Sequence, residues 1–313
     1  MILGIESTAH TFGVGIVTSD CEVLANEKEQ LTSTVGGLIP NEIVDHHNRV
    51  KHNVLTRALR KAKVTMEQVE AISYSAGPGI DPVLWVGYHF ASELAQRYGK
   101  QLIPVNHAAA HLSIGEALAK AKNPVYLYVS GVNTQVIVYK DGYRVLGETF
   151  DIGLGNMLDK FGREAELGFP AGPKIEQIAK QGQYIELPYT VKGMDVSFSG
   201  LYSKSLQLLQ KGESIENLSY SLQETAFAML AEVTERAMAH FESNELILVG
   251  GVGANKRFCG MLDVMCQERN ATFYAVPISL AGDQGAMIAW EGYKRRSKEC
   301  SVVVDARWRL DRY

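Results

Sequence analysis

The stretch Ile2-Leu3-Gly4-Ile5-Glu6-Ser7-Thr8, followed by Gly13-Val14-Gly15-Ile16-Val17, decides the fold of this chain. Two short apolar runs separated by a polar segment predict a hairpin of two buried strands. The pattern returns near the middle of the chain, where Val125-Tyr126-Leu127-Tyr128-Val129 leads through Ser130-Gly131-Val132-Asn133-Thr134 into Gln135-Val136-Ile137-Val138-Tyr139. Each half then continues into alternating helices and strands, so the sequence predicts a duplicated α/β architecture.

Two further predicted strands end in glycine-rich turns that precede helices. Residues 69–74 lead into Ser75-Ala76-Gly77-Pro78-Gly79, and residues 246–249 lead into Gly250-Gly251-Val252-Gly253-Ala254-Asn255. Such a turn places backbone N–H groups and a helix N-terminus beside a bound anion. A single turn of this kind often only closes a tight corner, but its recurrence favours a nucleotide site.

Length and composition indicate a globular protein. The 313 residues are 46% hydrophobic and 21% charged, which is enough for a substantial core and for two domains of ordinary size. No apolar run approaches the roughly 20 residues of a membrane span, and no basic leader precedes the first strand. We therefore expect a cytoplasmic protein without membrane contact. Cys21, Cys259, Cys266 and Cys300 are scattered, and we expect reduced, incidental thiols.

His107 and His111 are candidate metal ligands, in the run Asn106-His107-Ala108-Ala109-Ala110-His111. Imidazoles four residues apart on a helix project from one face and can reach the same ion. Asn106 can cap this helix, which would place His107 in the first turn, where the helix dipole favours the neutral, metal-binding ring. Asp283 can add a carboxylate. For the histidine pair alone, packing in a core is an equally good interpretation.

Two basic stretches contrast with the net charge of −4. The first comprises His46, His47, Arg49, Lys51, His52, Arg57, Arg60, Lys61 and Lys63. Apolar residues between them supply the buried side of a helix, so its exposed face is predicted to be cationic. The second comprises Lys294, Arg295, Arg296, Lys298, Arg307, Arg309 and Arg312. A run of charge is usually only a solvated face, so neither stretch alone indicates nucleic-acid binding.

Eight motifs, in order and spanning essentially the whole chain, resemble one family. They are Gly4-Ile5-Glu6-Ser7-Thr8-Ala9-His10-Thr11, Asn106-His107-Ala108-Ala109-Ala110-His111, Tyr128-Val129-Ser130-Gly131, Asn156-Met157-Leu158-Asp159-Lys160-Phe161, Gly172-Pro173-Lys174-Ile175-Glu176, Phe198-Ser199-Gly200-Leu201, Gly250-Gly251-Val252-Gly253-Ala254-Asn255 and Gly282-Asp283-Gln284-Gly285. The family is the universal tRNA threonylcarbamoyladenosine modification family, in its archaeal or eukaryotic form.

The resemblance implies an α/β fold like that of actin, sugar kinases and heat-shock-protein ATPases, with two duplicated ribonuclease-H-like domains around a nucleotide and metal cleft. The expected domains are residues 1–122 and 123–313. The second carries a helical insertion at about 152–240 and a C-terminal segment that could pack back on the first. The implied reaction transfers a threonylcarbamoyl group from threonylcarbamoyl-AMP to N6 of the adenosine 3′ of the anticodon, in tRNAs that read codons beginning with A.

The resemblance also implies residue roles. The metal ligands fall on His107, His111, Tyr128 and Asp283, and the ion is iron or zinc, with magnesium as a third option. No protein nucleophile is expected, because adenylate is already a good leaving group. The adenine nucleotide of the donor is expected to bind Tyr128, Val129, Ser130, Gly131, Val132, Asp159, Gly172, Glu176 and Asn255. The expected RNA contacts are Arg49, Lys51, Arg57 and Arg60.

The implied partners are tRNA and the KEOPS complex, which contributes a small atypical kinase of the RIO type and small accessory subunits. The charge of the chain agrees with a need for partners, because two separated basic stretches do not make the continuous basic surface that holds a folded RNA.

Other interpretations remain to be compared. A zinc peptidase of the His-Glu-x-x-His type needs a general base where this chain has Ala108, and a sugar or acetate kinase has no use for two histidines and an aspartate. The alternative that stays open is a non-catalytic nucleotide-binding scaffold of the same fold, which would be expected to lack the metal ligands. The chain departs from the family pattern at Trp85, Val132 and Gln284. Val132 is β-branched and resists positive φ, which puts the geometry of its loop in question.

Overall fold

A computed structural model of the chain describes residues 1–32, 39–298 and 301–313. These residues form two compact units. Unit 1 comprises Met1–Leu118 with Asp283–Tyr313, and unit 2 comprises Ala119–Gly282. Each unit contains a five-stranded sheet. Within the described ranges, none of the helices is both long and apolar enough to cross a membrane.

Unit 1 begins with a mixed sheet and three helices. Its elements in chain order are β1 (Ile2–Glu6), β2 (Thr11–Val17), β3 (Val23–Gln30), α1 (Pro40–Ala62), β4 (Ala71–Gly77), α2 (Asp81–Tyr98), β5 (Gln101–Asn106) and α3 (His107–Ala119). The strand order is β3-β2-β1-β4-β5, with an antiparallel meander from β1 to β3 and with β4 and β5 parallel to β1. Every residue of β1 and β2 is buried, as continuous apolar strands inside a layered α/β unit usually are. The predicted N-terminal hairpin is confirmed.

Unit 2 repeats this plan. Its elements are β6 (Val125–Val129), β7 (Thr134–Tyr139), β8 (Tyr143–Glu148), α4 (Leu154–Glu164), α5 (Gly172–Ala179), β9 (Val191–Lys192), β10 (Asp195–Val196), α6 (Ser199–Gln210), α7 (Ile215–His240), β11 (Glu245–Val249), α8 (Lys256–Glu268), β12 (Thr272–Ala275) and α9 (Ile278–Ala281). The sheet order is β12-β11-β6-β7-β8, again with a three-stranded antiparallel meander and two parallel strands. The duplicated α/β architecture is therefore confirmed. The helices α4 to α7 lie between β8 and β11, in the range where a helical insertion was predicted.

The chain returns to unit 1 through α10 (Gly285–Arg295), which packs directly against the first sheet. The contact is close because glycines face the helix. A Cβ atom at Gly4 would lie 2.2 Å from the backbone nitrogen of Ala289, and one at Gly15 would lie 2.1 Å from that of Ala286. This packing fixes the position of Asp283, two residues before α10. The predicted second domain, residues 123–313, included Asp283–Tyr313, with the expectation that the C-terminal segment could pack on the first domain. In the structure, Asp283–Tyr313 lies in unit 1.

Of the four cysteines, Cys21, Cys259 and Cys266 are free thiols, and Cys300 lies outside the described residues. Burial raises the pKa of Cys21 and of Cys266 to about 11. Both are therefore protonated at neutral pH, in agreement with the prediction of incidental thiols.

Candidate metal centre and nucleotide-binding residues

His107, His111 and Asp283 lie together in unit 1. One potential ligand atom of each lies within 4.8 Å of those of the other two, and no other group of three or more potential ligands of this kind occurs in the described part of the chain. The Asp283 Oδ1 atom is 3.3 Å from Nε2 of His111 and 3.5 Å from Nε2 of His107. The two imidazole rings are 4.8 Å apart between centroids. The structure thus brings together three of the four predicted metal ligands.

Helix α3 presents the two histidines one turn apart, as predicted. It begins at His107, and the side-chain oxygen of Asn106 accepts a hydrogen bond from the backbone N–H of Ala109 at 3.1 Å. This contact is the predicted N-cap. Both histidines are buried, as are the three alanines between them.

The ionisation of the triad suits a metal ion. Burial lowers the pKa of His111, although its hydrogen bond to Asp283 opposes the shift. Burial alone would raise the pKa of Asp283, but the electrostatic interaction with His107 and hydrogen bonds with both histidines hold it well below its usual range. The favoured pair is therefore a neutral imidazole at His111 and a carboxylate at Asp283. Two ring nitrogens and one carboxylate oxygen fit a divalent transition metal.

Glu6 is a member of this site that the sequence interpretation did not assign. The side chain, at the end of β1, is fully buried, and Oε2 lies 3.0 Å from Nδ1 of His107. Oε1 accepts hydrogen bonds from the backbone N–H and the hydroxyl of Thr8, at 2.8 Å and 2.5 Å. A carboxylate can only accept, so Nδ1 of His107 donates to Glu6, which leaves Nε2, the nitrogen beside Asp283, as the ligand atom for a metal ion. The signal in the sequence was a charged residue at the end of an otherwise apolar strand.

Gln284 supports the position of Asp283. Its side-chain oxygen accepts a hydrogen bond from the backbone N–H of Met287 at 3.0 Å and caps α10. Although Gln284 departs from the family pattern, it therefore provides a helix cap. Lys28 Nζ donates to the backbone carbonyl oxygen of Asp283 at 3.3 Å. The contacts of Lys28 and Gln284 thus hold the backbone around Asp283 in place.

The loop of Ser130, Gly131 and Val132, predicted to bind the donor nucleotide, lies in unit 2 between β6 and β7, and we call it the phosphate loop. Tyr128 and Val129 end β6, and the loop is closed by a hydrogen bond from Ser130 N–H to the Asn133 carbonyl at 2.8 Å and one from Asn133 N–H to the Ser130 hydroxyl at 3.0 Å. Val132 is 70% exposed and is not among the described non-glycine residues with positive φ. The β-branched side chain of Val132 therefore fits this loop without the positive φ that would strain it.

The other predicted nucleotide-binding residues of unit 2 also hold its backbone. Oδ1 of Asp159, on α4, accepts from the Ala171 N–H at 2.7 Å. Oε1 of Glu176, on α5, accepts from the Lys256 N–H at 2.8 Å, at the start of α8. Asn255 caps α8 through its side-chain oxygen, which accepts from the Phe258 N–H at 3.0 Å. The position of a Cβ atom at Gly172 is open space, as a binding surface for a flat group requires. Nucleotide binding by these residues stays a prediction.

Tyr128, the fourth predicted metal ligand, is a buried residue of unit 2, whereas the His107, His111 and Asp283 triad belongs to unit 1. The Tyr128 hydroxyl accepts a hydrogen bond from the side-chain amide of Asn133 at 3.4 Å. This contact links Tyr128 to the predicted phosphate loop. Its role as a metal ligand stays a prediction.

The exposed basic face of α1 is smaller than the sequence indicated. His46 and His47 are buried and cannot contribute to it. Arg57 forms ion pairs with Glu27 and Glu29, so its charge is largely neutralised. The remaining predicted RNA contacts differ in exposure. Arg49 and Arg60 are exposed, and Lys51 is half-buried with its ammonium over the Phe90 ring.

Comparison with known proteins identifies the family. A family model described as tRNA N6-adenosine threonylcarbamoyltransferase matches residues 22–290. The protein of that name from Thermococcus kodakarensis is 50% identical over 317 residues, covering 99% of this chain and 97% of its own length. The corresponding protein from Methanopyrus kandleri is 46% identical over 325 residues, covering 99% and 94%. The chain belongs to the tRNA N6-adenosine threonylcarbamoyltransferase family. Its activity is that of an acyltransferase on tRNA, which favours an enzyme over the non-catalytic scaffold.

Solved structures agree with the predicted fold of the family. Full-length HypF in a phosphate- and nucleotide-bound form matches with a TM-score of 0.65 at 11% identity, over 95% of this chain and 56% of HypF. The activator of 2-hydroxyisocaproyl-CoA dehydratase from Clostridium difficile matches with a TM-score of 0.57 at 13% identity, over 96% and 98%. At such low identity these matches show the fold alone. Together with the two repeated five-stranded sheets, they agree with the predicted actin, sugar-kinase and heat-shock-protein ATPase-like fold.

Proposed function

We propose that the chain transfers the threonylcarbamoyl group of threonylcarbamoyl-AMP to N6 of the adenosine 3′ of the anticodon, in tRNAs that read codons beginning with A. One divalent metal ion assists the reaction, held by His107, His111 and Asp283, with Tyr128 as a fourth ligand. The observation that supports this proposal is the triad itself, two buried histidines beside a partly buried aspartate, in a chain of this transferase family. Its carboxylate and its neutral imidazole are already in the forms that bind a cation.

The chemistry requires one bond to form and one to break. The N6 amine attacks the carbonyl carbon of the donor, the bond from that carbon to the phosphate oxygen breaks, AMP leaves and N6 loses a proton. A bound divalent ion supplies Lewis-acid stabilisation of the charge that develops on the carbonyl or phosphate oxygens. The residues of the chain hold the reactants in place. Because the N6 lone pair is delocalised into the adenine ring, positioning supplies much of the rate.

We assign the adenosine part of the donor to unit 2. Glu176 uses Oε1 for the N–H of Lys256, and its second oxygen is the proposed acceptor for a ribose hydroxyl. Asp159 is proposed for the same task, and Gly172 for close approach of the nucleoside to the backbone. The loop at Ser130, Gly131 and Val132 is proposed to receive the phosphate.

The donor set favours iron or zinc over magnesium. Nitrogen ligands suit zinc and iron, whereas magnesium prefers an all-oxygen shell that includes several waters. Two of the three ligand atoms in the triad are imidazole nitrogens. Magnesium is therefore expected to support transfer less well than either transition metal.

For RNA and protein partners, we propose tRNA as acceptor and the KEOPS subunits, a RIO-type kinase and small accessory proteins, as a platform. The net charge of −4 and the ion pairing of Arg57 support this proposal, because the chain alone offers a small basic surface. Arg49, Lys51 and Arg60 are the proposed RNA contacts on α1.

Metal removal tests the proposal. The chain, assembled with its partner subunits, is treated with a chelator, and transfer to a tRNA transcript is measured by mass spectrometry of the released nucleosides. We expect transfer to fall about 100-fold or more, equivalent to the loss of at least about 2.7 kcal/mol of transition-state stabilisation, and to return with zinc or iron. Full transfer by a chain shown to be metal-free would contradict the metal role but not the family assignment.

A further inference from the structure

The C-terminal segment of the chain is docked on unit 1 close to the metal triad. We call residues 303–313 the clasp. The Tyr74 hydroxyl donates to the Val303 carbonyl at 2.7 Å, and the Asp305 N–H donates to the Ala76 carbonyl at 2.8 Å. A Cβ atom at Gly77 would lie 1.8 Å from the Asp305 carbonyl oxygen, and Gly77 has φ +150°. Only glycine permits this backbone approach, so the end of β4 is shaped to receive the clasp.

Asn106 joins the clasp to the helix that carries both histidine ligands. Its side chain is fully buried, its Nδ2 donates to the Trp308 carbonyl at 3.0 Å, and its Oδ1 caps α3 by accepting from the Ala109 N–H. Trp308 is itself buried in the hydrophobic core of unit 1. Because Asn106 directly precedes His107, one amide group bonds to the clasp on one side and sets the first turn of α3 on the other.

The far end of the clasp contacts the helix that follows the third ligand. The Tyr313 hydroxyl donates to Oε1 of Glu291 on α10 at 2.9 Å, and the guanidinium of Arg295 lies 3.8 Å from the centroid of the Tyr313 ring. Helix α10 begins two residues after Asp283. The clasp is therefore bonded both to Asn106, the cap residue of the helix that carries the two histidines, and to α10, the helix that follows Asp283.

We propose that the clasp and the metal site are thermodynamically coupled, with Asn106 as the positioning residue that transmits the coupling. This inference rests on the metal role in the proposed function. A docked clasp holds α3 and α10 at the spacing that the triad needs, so less ordering remains to be done when the ion binds. Coupling is reciprocal, so metal binding strengthens clasp docking by the same factor by which the clasp strengthens metal binding.

The test separates the clasp bond from the helix cap. Asn106→Ser keeps a side-chain oxygen that can cap α3 but removes the amide that reaches the Trp308 carbonyl. Zinc affinity is measured by chelator competition on chains whose folding is checked by circular dichroism. We expect Asn106→Ser to weaken zinc binding about five- to tenfold, at the lower end of typical coupling factors. Asn123→Ser, at an exposed asparagine of unit 2, is the matched control and should leave zinc affinity unchanged.

Hydrogen exchange measures the reciprocal effect. In the wild-type chain, zinc should slow exchange of the Asp305 and Trp308 amides, and in Asn106→Ser it should do so much less. Deletion of residues 303–313 should weaken zinc binding further where the shortened chain still folds. Unchanged zinc affinity in Asn106→Ser, or clasp amides that do not respond to zinc, would overturn the coupling. Zinc binding that survives loss of both histidines would instead show that the metal role of the proposed function has failed.

Discussion

Glu6 determines which nitrogen of His107 is available to a metal ion. Its carboxylate accepts from Nδ1 and is itself held by two hydrogen bonds from Thr8, so the ring has little freedom to change its tautomer. A histidine ligand held in this way is ready to bind, and outer partners of this type commonly contribute 10- to 100-fold to metal affinity. The metal site accordingly includes at least four residues, the triad and Glu6.

Replacing Glu6 should therefore damage the metal site without removing a ligand. We expect Glu6→Ala to weaken zinc binding about 10- to 100-fold. We expect Glu6→Gln, which keeps an acceptor, to lose much less. Nitrogen-15 NMR of the His107 ring should show a single Nδ1–H tautomer in the wild type and a mixture in Glu6→Ala. If the tautomer and the zinc affinity are both unchanged in Glu6→Ala, the carboxylate has only a packing role.

Asp159 and Glu176 each combine a structural contact with a proposed ribose contact. Asp159 accepts from the Ala171 N–H, and Glu176 accepts from the Lys256 N–H. An alanine at either position therefore removes that residue's structural contact together with its proposed ribose contact. Loss of one charged acceptor should weaken adenine-nucleotide binding by about 1.5–3 kcal/mol. Calorimetry on Asp159→Asn and Glu176→Gln, which keep the backbone contact, separates the two effects. Full affinity in all four variants would leave these carboxylates with structural roles only.

Among the elements, the strands and helices were predictable where one strong pattern decided them. The apolar runs of β1, β2, β6 and β7 predicted both hairpins, and the Asn106 cap and histidine spacing predicted α3. The contacts that complete the site were not predictable, because they join residues far apart in sequence. Glu6 and His107 are 101 positions apart, and Asn106 and Trp308 are 202 apart. Helix α1 shows the converse error, since charge alone placed His46 and His47 on a cationic face.

The burial of His47 in α1 makes a stability prediction. Burial, with the neighbouring His46, lowers the pKa of His47 to about 4. In the unfolded chain the ring has its ordinary pKa of about 6.5. As pH falls, the unfolded chain therefore binds a proton at this ring before the native chain does. The native state therefore loses stability as pH falls from about 6.5 to about 4, by up to about 3 kcal/mol. Denaturant unfolding at several pH values should show a flatter decline in His47→Gln, while His240→Gln, at an exposed helix end, should follow the wild type. An identical slope in His47→Gln would contradict this account.

At the scale of the whole molecule, the charge distribution limits how the chain holds RNA. With a net charge of −4, and with Arg57 paired to Glu27 and Glu29, little continuous positive surface remains on α1. Each RNA phosphate that a basic side chain neutralises releases counterions, and it contributes about 0.7–0.9 to the steepness of the fall in log affinity with log salt concentration. Partner subunits are therefore expected to supply much of the binding surface.

Filter binding of tRNA over a range of salt concentrations tests this distribution. We expect the isolated chain to bind tRNA weakly, and the partner subunits to restore affinity and transfer. In the assembled complex, replacing Arg49, Lys51 and Arg60 with alanine should make the slope shallower, by up to the contribution of about three phosphate contacts. Arg57→Ala is the matched comparison and should change the slope less, because its charge is already paired. Tight binding by the isolated chain at ordinary ionic strength would contradict this prediction.

The central claim is that His107, His111 and Asp283 hold the metal ion that supports threonylcarbamoyl transfer. The most direct measurement compares metal content and transfer rate in the double variant His107→Ala/His111→Ala, with His240→Ala as the control and with folding verified for both. We predict that the double variant retains no metal and transfers at most about one-hundredth as fast as the wild type, while the control is unchanged. A folded, metal-free double variant that modifies tRNA at the wild-type rate would contradict the claim.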